Sequence, residues 1–239
     1  MSKSAKRVSA ADARRVLRDL GDPAIAEHSQ RFFKTGPGEY GEGDRFLGLR
    51  VPVLRKQTAA FAAMPLSQVL SLLRSRYHEE RLFALLLMVR QYSKSNDAGK
   101  TKIYEKYLEN TGYINNWDLV DTSAHAIVGA YLFERDREPL FQLARSESLW
   151  ERRIAIIATY FMIKRDDLAD TLAISEVLLK DTHDLIHKAV GWMLRELGNR
   201  DLEREKQFLD RHAAVMPRTM LRYAIERFPN DERRAYLSR

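Results

Sequence analysis

The stretch NWDLVDTSAHAIVGAY, residues 116–131, decides how this chain is read. At about 100° per residue, Val120, Ala124, Ile127, Val128 and Tyr131 fall on one stripe of a helix, with Trp117 and Asp121 one turn apart on its margin. A carboxylate at the edge of an apolar face needs a partner or a task. Asp118 has a plainer explanation, since acidic residues in a first helical turn complement the exposed amides and the helix dipole.

The same period extends outward. Leu82, Leu85, Leu86 and Val89, then Leu221, Ala224, Ile225 and Phe228, keep the i, i+3, i+4, i+7 spacing, and strand signals are missing. Pro23, Pro52, Pro65 and Pro217 stand near expected helix starts, with Gly198 and Pro229 near ends. This predicts an all-α chain of about a dozen short helices, an α-solenoid of HEAT-like antiparallel pairs forming a single domain over 1–239. The one long irregular piece, Thr35–Gly48, holds Gly36, Gly38, Gly41, Gly43 and Gly48 and is expected to be a mobile loop. Residues 1–8 read as a flexible basic tail. With Lys3, Lys6, Arg7, Arg14, Arg15 and Arg18, the start of the chain is either a solvated, partly frayed end or a contact with nucleic acid.

Two further positions stand out. From Trp150 to Ile163 apolar residues occupy nearly every face, as in a helix buried between neighbours, yet Arg153 sits inside that run. Its planar guanidinium fits a carboxylate, as in an internal salt bridge, or a phosphate. In the later helix the core stripe is Ile186, Ala189, Val190, Met193, Leu194 and Leu197, and Trp192 points about 130° away from its middle. Lys188 lies one turn before Trp192 and Arg195 one turn after. Such an aromatic meets a sugar or base beside phosphates, or fills a second buried interface. Asp121 to Arg153 is 32 residues and Arg153 to Trp192 is 39, near the ~40-residue period of HEAT-type repeats. Equivalent positions in successive repeats share a face, so these groups are expected to line one concave surface.

At 239 residues and 45% hydrophobic content, the chain can bury a full core without a staple. The absence of Cys excludes disulfides, thiolate metal sites and cysteine catalysis and fits a cytoplasmic protein. No run approaches a membrane span or a secretory signal. Forty Lys and Arg against 33 Asp and Glu leave a net charge of +7, which favours a polyanionic partner. No nucleotide cofactor is expected, because Gly99, Lys100 and Thr101 have Lys94 where a phosphate loop needs its first glycine. No metal is expected either: His183 and His187 are four apart, but Asp184 stands where the zinc-protease motif has Glu. His28, His78, His125 and His212 have no ligand spacing.

With Trp117, Asp118, Asp121, Arg153 and Trp192 placed, the chain resembles the AlkD family of DNA alkylation repair glycosylases, helical HEAT-like repeat proteins that excise alkylated bases. Phe46–Leu54, Trp150–Arg153, Lys188–Leu197 and Met216–Glu226 carry the likeness further along the chain. The resemblance implies that Asp121 is the catalytic carboxylate, that Trp117 and Trp192 are aromatic walls at the lesion nucleotide, and that Arg153 engages the DNA beside it. Arg50, Asp118, Lys188, Arg195 and Arg222 complete the set expected at the DNA, which the four basic residues would hold mainly by its phosphates.

The chemistry suits these residue types. A purine alkylated at N3 or N7 is cationic, its glycosidic bond is weakened, and its departure leaves an oxocarbenium-like sugar that an anionic Asp121 can stabilise. The expected activity is therefore that of a monofunctional glycosylase acting on alkylated purines in double-stranded DNA, working as a monomer. The alternative is a non-catalytic solenoid that binds DNA or a protein through the same face. Asp121 discriminates them, since a pure binder of polyanionic DNA gains nothing from a carboxylate in its groove.

Overall fold

The computed structural model describes residues 8–239, so the tail residues Lys3, Lys6 and Arg7 lie outside the described residues. Every regular element among the described residues is helical, apart from one isolated bridge between Arg45 and Tyr77. This is the all-α class that the periodicity predicts. Two compact units make up the chain, one ending at Ser123 and the other starting at Ala124.

The first unit contains α1 (Ala10–Asp19), α2 (Pro23–Phe32), α3 (Val51–Gln57), α4 (Leu66–Leu73), α5 (His78–Lys94), α6 (Asp97–Leu108) and most of α7 (Trp117–Ala124). Local chemistry sets the boundaries. Ser9 and Asp12 form a reciprocal capping box on α1, Asp22 accepts the Ala24 and Ile25 amides at the start of α2, and Asn96 caps α6. The heart of the unit is α5, where Leu82 to Met88 are all buried, as expected of a helix apolar on every side. Consecutive helices α4, α5 and α6 pack on one another, and α1 packs on α4.

The first turn of α5 is unusual because His78, Glu79, Glu80 and Arg81 are all buried, four ionisable groups in a row. Each is tied to a different part of the unit. The Glu79 carboxylate accepts the backbone amides of Leu47, Gly48 and Leu49 at 2.8 to 3.1 Å. Glu80 receives Arg14 Nε at 3.2 Å and Arg18 Nη2 at 3.3 Å from α1. Arg81 Nη2 donates to Asp44 at 2.6 Å.

These bonds correct two expectations. Arg14 and Arg18 are not part of a frayed basic end, because an otherwise unpaired buried Glu80 holds them. The glycine-rich segment is not a loose loop: Asp44, Phe46, Gly48 and Leu49 are buried, and Glu79 fastens its C-terminal end. Gly48 marks the tightest point. It has φ +81°, and a Cβ there would come within 1.9 Å of the Asp22 carbonyl oxygen, so no other residue fits.

The second unit opens with a π turn at His125–Gly129 and continues through α8 (Ala130–Leu132), α9 (Glu138–Ala144), α10 (Leu149–Ala158), α11 (Tyr160–Ile163), α12 (Ala169–Val177), α13 (Asp184–Gly198), α14 (Leu202–His212), α15 (Arg218–Ala224) and α16 (Asn230–Leu237). Helix α13 is its axis, packed by α10, α12, α14 and α15, which is the stacked-pair arrangement of an α-solenoid. Ile186, Ala189, Val190, Met193, Leu194 and Leu197 are all buried along it, the stripe that the sequence predicts. Gly191 lets α15 come close, since a Cβ there would meet the Met220 carbonyl oxygen at 2.4 Å. His183, considered above as a metal ligand, caps α13 by accepting the Leu185 amide at 3.1 Å.

Candidate functional site

In the first unit the site forms around the start of α7. Asn116 accepts the Trp117 amide at 2.8 Å. Leu119, Val120 and Ala124 are buried while Trp117, Asp118 and Asp121 are half-buried, so the two prominent residues stand on the margin of the apolar stripe. The Trp117 ring does not stand alone: Phe33 stacks on it at 5.3 Å and 22°, and Phe32 meets it edge-on at 6.0 Å. Behind Phe33 lie Phe46 at 5.2 Å and the His78 imidazole at 4.8 Å.

His78 connects this aromatic stack to α7. Its Nδ1 lies 3.0 Å from Asp44 Oδ2 and its Nε2 lies 2.8 Å from Asp118 Oδ2. A carboxylate can only accept, so two such partners hold both ring nitrogens protonated. Burial alone would lower the imidazole pKa. The Asp118 charge and the hydrogen bonds to Asp118 and Asp44 outweigh burial and the nearby Arg81, and lift it to about 9. Asp44 is pushed below its usual range, because the bond from His78 and the Arg81 charge overcome its own burial.

Asp121 sits one turn further along. Its charge acts on Tyr107, a fully buried phenol whose pKa is raised first by burial and further by Asp121, against the bond to Ser123. Ser123 Oγ donates to the Leu119 carbonyl, so the Tyr107 hydroxyl donates to Ser123 Oγ at 2.9 Å. Arg50, exposed at the start of α3, lines a cleft of about 610 Å³ together with Phe33, Phe46, His78 and Asp118. Three of the expected site residues of this unit, Trp117, Asp118 and Arg50, thus gather at one aromatic and charged cluster, with Asp121 one helical turn beyond Trp117 on α7.

The second unit places its own residues on α10, α13 and α15. Arg153 is only 5% exposed, and its Nη1 donates to the Leu185 carbonyl at the start of α13. Trp192 is half-buried off the core stripe, with its Nε1 donating to Glu196 at 3.1 Å and its ring 6.1 Å from Tyr160. Tyr160 in turn carries Lys164 over its face at 4.5 Å. The two cations flanking Trp192 both have acidic partners: Lys188 pairs with Asp184 at 2.7 Å, and Arg195 pairs with Glu226. Arg222 is exposed on α15. No group of three or more His, Asp or Glu among the described residues is placed to hold a metal ion.

Residues 13–228 match the family model described as DNA alkylation repair enzyme. The chain belongs to that family. A solved structure described as a predicted DNA alkylation repair enzyme from Enterococcus faecalis is similar in fold, with a TM-score of 0.68 over 88% of this chain and 97% of that one, at 14% identity. No curated protein matches the sequence. Membership of the DNA alkylation repair family makes DNA the substrate and repair the role, and no described helix is long and apolar enough to cross a membrane.

Sequence reasoning missed one feature of this family member, the Asp44, His78, Asp118 network, because those residues are 34 and 40 positions apart with no period to join them. A signal was present. The all-round apolar run Leu82–Met88 demands a buried helix, so the HEER turn that opens it has to be buried and paired as well.

Proposed function

We propose that the protein is a monofunctional DNA glycosylase that hydrolyses the N-glycosidic bond of cationic N3- and N7-alkylated purines in duplex DNA, which initiates base excision repair. The observation that carries this reading is the pairing of Trp117 and Asp121 one turn apart at the half-exposed margin of α7, in a chain of the DNA alkylation repair family. A protein that only held DNA would lose affinity through that carboxylate.

In the reaction, the C1′–N bond breaks and its electron pair leaves with the base, which departs neutral because it began cationic. Asp121 stabilises the positive charge that develops on the sugar and orients the water whose oxygen bonds to C1′. The proton released by that water passes to the carboxylate or to solvent. Trp117, held flat by Phe33, offers its electron-rich face to the same sugar, and Trp192 on α13 is a second aromatic face offered to the DNA. Arg153 is buried and braces the start of α13, the helix that presents Trp192. The basic residues Arg50, Lys188, Arg195 and Arg222 contact phosphates.

The test is to incubate the protein with methylated duplex DNA and measure free 3-methyladenine and 7-methylguanine. Release that persists in EDTA supports the reading. Binding of duplex without any base release overturns it in favour of a non-catalytic binder.

A further inference from the structure

The first unit has a second depression, of about 400 Å³, that the site above does not use. Its floor is apolar, with Ala62, Met64, Leu66 and Ile103, and its rim carries Arg90 and Lys94 from the end of α5 and Lys102 from α6. No carboxylate lines it, and none of the three cations makes an ion pair among the described residues. Arg90 Nε is shut off from solvent with no hydrogen-bond partner. Elsewhere in the chain basic side chains commonly have an acidic neighbour, as with Arg14, Arg137, Arg152 and Arg200.

The wall between the cations is already committed. The Gln91 amide donates to the Met64 carbonyl at 2.8 Å, and Ser95 Oγ donates to the Gln91 carbonyl at 2.8 Å. What remains unspent is donors of one charge. Base edges present donors and acceptors in mixed patterns, whereas a phosphate presents only acceptors. Such a set therefore recognises phosphate and does not read sequence, and the apolar floor suits a deoxyribose.

The depression lies further along α5 than the aromatic cluster and is turned about 120° to 160° around the helix from His78, so a strand reaching both must wrap the unit. Arg90 and Lys94 follow His78 on the same helix by 12 and 16 residues, about 18 and 24 Å at 1.5 Å per residue. At about 3.4 Å per nucleotide along one strand, that span corresponds to five to seven nucleotides, or about half a turn of duplex.

We propose that Arg90, Lys94 and Lys102 form a second DNA site in the first unit, one that takes the sugar–phosphate backbone flanking the damaged nucleotide. The proposal rests on DNA being the ligand but not on excision. The site would let the protein distinguish a long duplex from a short one without reading sequence.

The experiment measures binding of the full-length protein to undamaged duplexes of about 8 and about 24 base pairs across a range of about 50 to 200 mM salt. The variant is the combined Arg90→Gln, Lys94→Gln, Lys102→Gln, with the single Lys102→Glu as a milder second variant and circular dichroism as the check on fold. On the long duplex the triple variant is expected to bind about tenfold or more weakly at low salt, with a salt slope shallower by about 3, as three lost phosphate contacts require. On the short duplex the wild type and the variant should converge. Equal affinity and equal slope on the long duplex overturn the proposal, as does an equal loss on both lengths. Inorganic pyrophosphate bound tightly by the wild type, with no effect of the substitutions on DNA, identifies a small-anion site and overturns it too. If the wild type binds duplex normally but never releases a base, the glycosylase reading fails and this one stands.

Discussion

His78 Nε2 reaches Asp118 across 2.8 Å, and Asp118 lies between Trp117 and Asp121 on the first turns of α7. Because Asp44 takes the other ring nitrogen, the two bonds exist together only while the ring is an imidazolium. A folded-state pKa of about 9 against an ordinary 6.5 means that this contribution is fully present below about pH 6.5 and is lost as pH rises through 9. The free energy of unfolding should therefore fall by up to about 3 kcal/mol between pH 6.5 and 10. Urea titrations at those pH values check it, and His78→Gln, already destabilised by the unpaired carboxylates, should show a flatter profile. Identical pH profiles for the two proteins would remove His78 from the account.

Asp121→Asn keeps the shape of the side chain and removes its charge. Excision of 7-methylguanine under single-turnover conditions should slow by the equivalent of about 2 to 4 kcal/mol. Affinity for undamaged duplex should hold or rise slightly, because an anion has left the surface proposed to hold DNA. Trp192→Ala should differ by weakening lesion binding together with turnover. Full excision by Asp121→Asn would end the catalytic assignment.

Glu205 on α14 is 2% exposed, and burial, only partly offset by the Arg195 and Lys206 charges, pushes its carboxyl up to about 8. The folded state therefore favours the protonated form, and ionisation above the ordinary carboxylate range costs stability. Glu205→Gln should stabilise the protein by about 1 to 3 kcal/mol at pH 7 and by almost nothing at pH 4. Thermal melts at the two pH values measure the difference, and a variant that is less stable at pH 7 contradicts the burial argument.

Gly191→Ala should separate α13 from α15, since the added methyl group would meet the Met220 carbonyl oxygen at 2.4 Å and Tyr223 Cβ at 2.5 Å. The expected cost is about 1 to 3 kcal/mol. Trp192 is the next residue, so its fluorescence should change in the folded state as well. A variant with unchanged stability and emission would show that the two helices separate freely.

The core was largely legible from periodicity. The α13 stripe is buried residue for residue, and Trp117 and Trp192 lie off their stripes as the 3.6-residue wheel places them. Positions beside the apolar seams could be ranked because local geometry alone decides which face they occupy. The His78 network could not be read this way, since it depends on Asp44 and Asp118 arriving from far along the chain. The glycine-rich segment misled for the same reason. Its composition suggests slackness, yet Glu79, some 30 residues later, accepts the amides of Leu47, Gly48 and Leu49. Arg153 illustrates the remaining gap: the sequence shows that a buried guanidinium needs an acceptor, and only the packing of α10 on α13 makes the Leu185 carbonyl one of them.

The turn that opens α5 has a bearing on how the first unit assembles. Its bonds close chain separations of 30 to 32 residues through Glu79, 34 and 40 through His78, and 62 and 66 through Glu80. No pair of neighbouring helices can satisfy it, and each segment that is missing leaves a charge without its counterpart inside the core. Residues 44–50 and α1 are therefore expected to join late and together, after the slow closure of long loops, in place of adding helix by helix as short-range contacts would allow. In native-state hydrogen exchange, the amides of Leu47, Gly48 and Leu49 should open with α5 and not with the exposed turn that precedes them.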